Sequence, residues 1–214
     1  MTAPDPTRLH PLPDHPRVVA LQPLAAGRKN VTVGHFAYYD DPDDATAFFD
    51  RNVLHHHDFM GDHLTIGPFC ALATGTTIVM NGAAHAMDGF STFPFDIFGG
   101  AWGASFDPAR YAAAGRGDTV IGADVWCGMQ ALIMPGLTIG PGAIVAARAV
   151  VSQDVPPFAV VAGNPARIVR HRFDDATIAA LLDLAWWDWP LNAITAALPA
   201  IRATDLAALT AARP

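Results

Sequence analysis

The residues best suited to acid–base chemistry at neutral pH are the nine histidines. A free imidazole has a pKa of about 6.5, so it can take a proton from a hydroxyl group and later return it. Of these histidines, only His85 stands where a regular sequence pattern stops and a long irregular segment begins. His85 is therefore the candidate general base, and the alternative is an ordinary histidine on a surface loop.

The remaining charged residues exclude several kinds of chemistry. All 20 acidic residues are Asp, which excludes zinc protease motifs that pair His with Glu, and also any Glu general base. Lys29 is the only lysine and stands outside any phosphate-binding loop motif. The net charge of −7 argues against nucleic-acid binding. Cys70 and Cys127 lack the spacing of a metal pair, and we predict that both are buried thiols.

Three consecutive histidines, His55-His56-His57, invite a metal interpretation. Successive residues of a strand point to opposite faces, so three neighbours cannot all bind one ion. A zinc site can also be built from histidines of two subunits when the chain winds as a triangular solenoid, the fold predicted in the next paragraph, but the most regular part of its repeat, residues 121–156, contains no histidine. We therefore expect no metal.

The elements that must position His85 follow from a repeat of six residues. Apolar side chains recur at Ile66, Leu72 and Ile78, and then at Ile121, Cys127, Ile133, Ile139, Val145 and Val151. An α-helix has a period of about 3.6 residues and a single strand a period of about two, so neither explains this spacing. A triangular solenoid does, with one unit on each side, the apolar residue inward, and a neighbouring small residue turning the corner. Glycine suits that corner because it adopts strained backbone angles easily.

A further unit of the repeat starts at Val33-Gly34. The run that begins at Ile66 and the run that begins at Ile121 are out of phase with each other. Ile66 and Ile121 are 55 residues apart, which is one more than a multiple of six. Residues 84–120 therefore leave the solenoid as an excursion loop and return, and a loop this long is unusual unless it is functional. It carries seven aromatic residues, so we expect it to pack on another surface, that of a neighbouring subunit.

The pattern predicts a mainly β protein in two parts. Residues 1–172 form the β-helix domain, with a proline-rich N-terminal arm and the excursion loop, and residues 173–214 form a helical extension. We expect the first 24 residues to be extended. No stretch has the features of a signal peptide or of a membrane span, so we expect a cytoplasmic protein without a membrane partner.

Two helices are predicted in the extension. Asp174 or Asp175 caps a helix over 176–187, which Pro190 ends. A second helix, rich in alanine, is predicted over 191–211.

Several motifs accompany the repeat. They are Tyr38-Tyr39-Asp40-Asp41-Pro42, Met80-Asn81-Gly82-Ala83-Ala84-His85-Ala86-Met87-Asp88-Gly89, Gly117-Asp118-Thr119-Val120-Ile121-Gly122-Ala123-Asp124-Val125-Trp126, Ala162-Gly163-Asn164-Pro165-Ala166 and Trp186-Trp187-Asp188-Trp189-Pro190. With these motifs the chain resembles the xenobiotic acetyltransferases, the streptogramin A and type B chloramphenicol O-acetyltransferases, over roughly residues 18–205. The hexapeptide repeat is shared by many acyltransferases, whereas the His85 loop together with the tryptophan motif is much more specific.

The resemblance implies a left-handed parallel β-helix, a homotrimer, and acetyl-CoA bound between adjacent subunits. It also implies acetyl transfer to a hydroxyl of a small molecule such as streptogramin A or chloramphenicol, with His85 as general base and direct attack in a ternary complex. Ala84 and Ala86 stand where members that act on streptogramins commonly carry Asn and Arg. Two alternatives therefore stay open: an acceptor that is a sugar or another metabolite, and a non-catalytic β-helical binding or scaffold protein.

Matching positions extend the resemblance to ligand contacts. On the acceptor side they are Tyr38, Tyr39, His55, His57, Met80, Asn81, Phe93 and Trp102. On the acetyl-CoA side they are Trp126, Met129, Ala146, Ala147, Ser152, Gln153, Arg167 and Arg170. Small residues suit a cofactor that lies flat on backbone, and arginines suit phosphates. The plainer interpretation of the second set is corner residues and a solvated basic face.

Overall fold

A computed structural model describes residues 3–214, so residues 1 and 2 of the predicted arm lie outside it. The strands are β1 (Val18–Ala20), β2 (Val31–Val33), β3 (Tyr38–Asp40), β4 (Val53–Leu54), β5 (Leu64–Ile66), β6 (Ala71–Leu72), β7 (Thr77–Val79), β8 (Thr119–Ile121), β9 (Trp126–Cys127), β10 (Leu132–Ile133), β11 (Thr138–Ile139), β12 (Ile144–Val145), β13 (Val150–Val151), β14 (Ala159–Ala162) and β15 (Arg167–His171). The α-helices are α1 (Leu21–Leu24), α2 (Phe48–Arg51), α3 (Gly100–Gly103), α4 (Pro108–Ala113), α5 (Asp175–Leu184), α6 (Leu191–Ile201) and α7 (Leu206–Ala211). Short 3-10 helices cover Ala45–Ala47, Asp58–Met60, Asn81–Ala83, Phe95–Phe98 and Trp186–Asp188.

The strands stack into three sheets, which are the faces of a triangular solenoid. Face 1 holds β3, β6, β9, β12 and β14 in parallel, with β1 and β15 antiparallel at its two ends. Face 2 holds β2, β5, β8 and β11, and face 3 holds β4, β7, β10 and β13, all in parallel. The chain visits the faces in the order 2, 1, 3, so each coil adds one strand to each face.

The register of the strands follows the six-residue repeat. Ile121 pairs with Ile139, and Ile133 pairs with Val151, so one coil takes eighteen residues. Ile66 pairs with Ile121 across the change of phase, and residues 84–118 therefore lie outside the stack. These inward side chains are almost fully buried and form one continuous apolar core.

Two edges of the triangle matter for function. We call the passage from face 3 to face 2 the loop edge; it comprises residues 55–63, 80–118, 134–137 and 152–154. We call the passage from face 1 to face 3 the narrow edge; it comprises residues 73–76, 128–131 and 146–149. Because they are different corners, the two edges of one chain point in different directions.

The corner glycines are where the repeat places them, but the predicted reason was wrong. A Cβ on Gly122 would lie 2.7 Å from the backbone nitrogen of Pro141, and one on Gly140 would lie 2.4 Å from that of Pro157. These glycines are required because the next coil passes directly against them. The left-handed angles occur two residues later, at Asp124 (φ 55°) and Gly142 (φ 70°).

The segments outside the coils differ from the prediction in detail. The Asp174 side chain accepts a hydrogen bond from the backbone nitrogen of Thr177 and caps α5. This helix ends at Leu184 rather than at residue 187, because Ala185 adopts left-handed angles (φ 38°). The predicted helix over 191–211 is two helices, α6 and α7, interrupted over 202–205.

The N-terminal arm is not simply extended. It runs in turns up to residue 17 and is tied to the body by a backbone hydrogen bond from Ala20 to the carbonyl of Leu9. Strand β1 and helix α1 then follow. Within residues 3–214 there is no helix with the length and apolar character needed to cross a bilayer.

Candidate active site

His85 opens the excursion loop, directly after the 3-10 turn Asn81–Ala83 on the loop edge. Its Nδ1 lies 2.8 Å from the carbonyl oxygen of Thr92. A carbonyl only accepts hydrogen bonds, so Nδ1 carries the proton and Nε2 presents a lone pair. The exposed imidazole is thus held in the tautomer that can accept a proton from a hydroxyl group.

A backbone carbonyl, and not Asp88, orients the His85 ring. The Asp88 carboxylate accepts a hydrogen bond of 2.5 Å from Arg110, and this interaction lowers its pKa. Nothing in the sequence indicates Thr92 for this role, because every residue type supplies the same backbone carbonyl.

A row of aromatic rings joins the His55–His57 turn to the loop. His57 stacks on Phe59 with ring centroids 5.5 Å apart, and Phe59 meets the edge of Phe106 at 6.3 Å. Phe106 lies 5.7 Å from Tyr111, whose hydroxyl donates to Asp96 at 2.5 Å. That bond raises the pKa of Tyr111. His57 therefore lies at an apolar wall on the same edge as His85.

The predicted acceptor residues Phe93 and Trp102 belong to a second aromatic cluster within the loop. Phe93 contacts Phe95 at 4.7 Å and Phe98 at 4.9 Å, and Phe95 contacts Trp102 at 5.2 Å. All four rings remain 47% to 61% exposed in the single chain. His55 is likewise exposed, with its ring 6.4 Å from that of His57.

Tyr39 is a core residue, and its assignment to the acceptor surface is wrong. Its ring is fully buried, and its hydroxyl donates to Asp41 at 2.7 Å while accepting from Asn52 at 3.1 Å and from the Gly75 nitrogen at 3.0 Å. Burial raises the pKa of Tyr39 to about 12. The repeat itself carries the signal, because Tyr39 follows Val33 by six residues and therefore points inward.

Met80 and Asn81 are also wrongly assigned to the acceptor surface. Met80 is fully buried in the solenoid core, two residues after the inward-facing Ile78. Asn81 is 2% exposed, and its side-chain amide bonds only to other parts of the chain. Neither side chain is available to a ligand at this surface.

Tyr38 lies on the outer surface of face 1 together with Trp126. Both side chains line a cleft of about 440 Å³, whose opposite wall is the N-terminal arm at Arg8 and Leu12. Trp126 is 53% exposed. The sequence did not suggest that the arm lines this cleft.

The other predicted acetyl-CoA positions divide between three places. Met129, Ala146 and Ala147 lie together on the narrow edge, where a Cβ on Gly128 would come within 2.6 Å of the Ala147 nitrogen. Ser152 and Gln153 also lie on the loop edge, but in a later coil than the one from which the excursion loop leaves the solenoid. Arg167 and Arg170 are exposed on β15. Within one chain, His85 and the narrow edge are therefore on different corners of the solenoid.

The histidine run and the two cysteines show no sign of a metal site or of a nucleophile within residues 3–214. His56 Nε2 lies 3.2 Å from the carbonyl oxygen of Asp62, and no group of three or more potential ligands for a metal ion occurs in residues 3–214. Cys70 and Cys127 are fully buried, and burial raises the pKa of Cys70 to about 12 and also raises that of Cys127. Neither thiol is suited to act as a nucleophile.

Comparison with known proteins places this geometry in a class. Residues 118–153 match the family model described as bacterial transferase hexapeptide (six repeats). The fold is a left-handed parallel β-helix: the six-residue repeat predicted the stack of eighteen-residue coils, and the family resemblance implied its hand.

Curated relatives identify the family within that class. The chain is 49% identical to a probable macrolide acetyltransferase from Lysinibacillus sphaericus, over 66% of this chain and 78% of the relative. It is 41% identical to a chloramphenicol acetyltransferase from Agrobacterium fabrum, over 84% and 86%, and 40% identical to a virginiamycin A acetyltransferase from Staphylococcus aureus, over 95% and 90%. The chain belongs to the xenobiotic acetyltransferase family. It is accordingly an acetyltransferase, with acetyl-CoA as its co-substrate.

Proposed function

We propose that this enzyme transfers acetyl from acetyl-CoA to a hydroxyl group of an antibiotic such as chloramphenicol or a streptogramin of the virginiamycin A type. The observation that carries the proposal is His85, an exposed residue whose Nδ1 is engaged by the Thr92 carbonyl, which leaves Nε2 free to accept a proton. The alignments with these relatives cover most of both chains, and the names of the relatives supply the class of acceptor. Ala84 and Ala86 leave the particular antibiotic open to test.

The reaction needs one proton to move twice. Nε2 of His85 takes the proton of the acceptor hydroxyl as its oxygen attacks the thioester carbonyl of acetyl-CoA. The resulting imidazolium is stabilised through Nδ1 by the Thr92 carbonyl. When the tetrahedral intermediate collapses, the C–S bond breaks and the proton passes from Nε2 to the departing thiolate, giving CoA and the acetyl ester.

We infer a homotrimer in which each active site lies between two subunits. His85 and His57 are on the loop edge, whereas Trp126, Met129 and Ala147 are on face 1 and the narrow edge. A three-fold arrangement brings the loop edge of one subunit against the narrow edge of the next. The exposed aromatic cluster of the loop supports this assembly, because it would be covered by the neighbour.

The remaining site assignments are part of the same proposal. Tyr38, His55, His57, Phe93 and Trp102 contact the acceptor. Acetyl-CoA lies along Trp126, Met129, Ala146, Ala147, Ser152 and Gln153, with Arg167 and Arg170 near its phosphates. We place the enzyme in the cytoplasm, where acetyl-CoA is available.

The test is a thiol-release assay with acetyl-CoA against a panel that contains chloramphenicol, virginiamycin A, a macrolide and several sugars. The wild-type enzyme is expected to turn over at least one antibiotic. The His85→Ala variant should lose about a hundredfold or more in kcat, because general base catalysis contributes roughly that factor. It should still bind acetyl-CoA, measured as an increase in Tm with the ligand. His15→Ala, in the N-terminal arm, is the matched control and should keep the wild-type rate.

Each alternative has its own result in this experiment. Activity on sugars alone would replace the antibiotic with a metabolite acceptor. A wild-type protein with no turnover and no thermal stabilisation by acetyl-CoA would be a scaffold. A His85→Ala variant with the wild-type rate would remove His85 from the mechanism.

A further inference from the structure

Asp62 and Asn81 form a buried polar pair on the loop edge. The two residues are 4% and 2% exposed. Oδ2 of Asp62 accepts two hydrogen bonds from Asn81, one from its backbone nitrogen at 2.9 Å and one from its side-chain Nδ2 at 2.8 Å. The pair fixes both the backbone and the side chain of Asn81, four residues before the candidate base.

The remaining bonds of the Asn81 amide reach the other end of the excursion loop. Nδ2 also donates to the carbonyl oxygen of Gly117 at 2.7 Å, and Oδ1 accepts from the backbone nitrogen of Arg116 at 2.8 Å. One side chain thus joins the start of the loop to its return.

The same pair ties the loop to the turn that carries His57. His56 Nε2 donates to the Asp62 carbonyl at 3.2 Å, and the His63 nitrogen donates to Asp118 Oδ1 at 2.8 Å. The loop also starts in direct contact with this turn, because a Cβ on Gly82 would lie 2.3 Å from a carbonyl oxygen there. The turn, the start of the loop and its return therefore form one connected block.

The carboxylate is an unusual choice for a purely structural bond. Oδ1 of Asp62 is buried without a hydrogen-bond partner, 3.9 Å from His56 Nε2. A buried carboxylate with one unsatisfied oxygen is not the arrangement that maximises stability. Such an arrangement points to a requirement for strict geometry at this position.

We propose that Asp62 and Asn81 are positioning residues for acetyl transfer. The pair clamps both ends of the excursion loop to the turn at 55–63 and thereby holds Nε2 of His85 where the acceptor hydroxyl must lie. This role rests on the proposed function. Positioning matters because a displacement of about 1 Å in a reacting group can lower a rate by about a hundredfold.

The test compares two clamp variants with a matched amide elsewhere in the same enzyme. Asn81→Ala removes the clamp, and Asp62→Asn keeps its shape but leaves an amide oxygen that can satisfy fewer donors than the carboxylate. The control is Asn52→Ala, which deletes an amide that bonds to the Tyr39 hydroxyl and the Thr76 carbonyl near the narrow edge. Asn81→Ala and Asn52→Ala each delete a side-chain amide that bonds within the chain, but only the two clamp variants act on the loop.

We expect kcat to fall about tenfold to a hundredfold in Asn81→Ala and by less in Asp62→Asn, relative to Asn52→Ala. The KM for acetyl-CoA should change less than about threefold, because the predicted cofactor positions are mainly elsewhere. Hydrogen exchange gives an independent readout: residues 84–118 should lose protection in Asn81→Ala and keep it in Asn52→Ala.

The proposal is wrong if kcat in Asn81→Ala equals that of Asn52→Ala, or if the loop loses protection while kcat stays at the wild-type level. It is equally wrong if the protection of residues 84–118 does not change. A wild-type enzyme that acetylates no acceptor counts instead against the proposed function. In that case hydrogen exchange still tests whether Asp62 and Asn81 hold the loop, but the proposed role of the pair in catalysis is rejected together with the proposed function.

Discussion

The coils and the excursion loop use apolar side chains in opposite ways. In the coils, inward residues such as Ile121 and Ile139 are fully buried and pack in register from one coil to the next. In the loop, Phe90, Phe98 and Trp102 are more than half exposed in the single chain. The coils stabilise the fold by themselves, whereas the loop has an apolar surface that needs something else to cover it.

The hydrogen bonds show the same division. The coils are held by a ladder of backbone bonds between strands, which depends little on side-chain identity. The ends of the loop are held by individual side chains, of which Asn81 is the clearest case. Substitutions in the coils should therefore change the stability, and substitutions in the loop should change catalysis or assembly.

The largest expected effect is a loss of stability from Ile121→Ala. This residue lies in β8, with no exposed surface, so truncation leaves a cavity in close-packed surroundings. We expect the free energy of unfolding to fall by about 3 kcal/mol. Denaturant unfolding at fixed protein concentration measures it, and kcat per folded molecule should remain at the wild-type value. A stable but inactive Ile121→Ala variant would contradict the division between the two regions.

A smaller loss is expected from Gly140→Ala, which tests the close approach of successive coils. The added Cβ would lie 2.4 Å from backbone atoms that cannot move independently, and overpacking of this kind costs about 2 kcal/mol. Gly89→Ala is the control in the loop, where the nearest atom to an added Cβ is 3.8 Å away. Thermal unfolding should show a lower Tm for the first variant only. An unchanged Tm in both variants would mean that the coil relaxes around the methyl group.

The repeat explains why the coils could be predicted and the details of the loop could not. A period of six specifies which residues point inward, so the faces, the register and the return at Ile121 all follow from it. The same rule assigns Tyr39 to the core, although its motif suggested a ligand contact. The loop has no period, and its short helices and its contacts with the turn at 55–63 depend on tertiary packing.

The candidate site was predictable only at its centre. His85 stands out because it follows directly on the break in the repeat. Thr92 acts through a backbone carbonyl that every residue type would supply equally, so its side chain carries no information. Asp62 and Asn81 meet only when two coils are stacked, and no short motif records that contact. Residues that act through the backbone or through burial are thus the ones that cannot be identified from a sequence pattern.

The next effect concerns assembly and tests whether a neighbour covers the loop. Phe98→Ser removes an exposed ring of the loop cluster, and losing such a contact at an interface costs about 1–2 kcal/mol. We expect the Phe98→Ser trimer to need about tenfold more protein than the wild type to stay assembled, measured by sedimentation velocity over a dilution series. Leu182→Ser, on the exposed side of α5, is the control and should leave assembly unchanged. A wild-type chain that is monomeric at all concentrations would refute the shared site.

The smallest effect is expected at Asp88, the charged residue nearest in sequence to the candidate base. Its carboxylate is engaged by Arg110, and the ring of His85 is held by the Thr92 carbonyl instead. Asp88→Ala should therefore keep kcat within about twofold of the wild-type value, because no catalytic contact is lost.

The pH dependence separates the two possible partners of His85. The pKa of Asp88 is lowered in the folded state, so its stabilising contribution is present above its ordinary pKa of about 3.9 and is lost as the pH falls through the lowered value. Wild type and Asp88→Ala should hence show the same pH–rate profile between pH 5 and 9, a range in which this carboxylate stays charged. If the variant instead lost tenfold in kcat and its profile shifted, Asp88 would act on the imidazole. In that case the loop would hold its base by a side chain, as it holds its two ends.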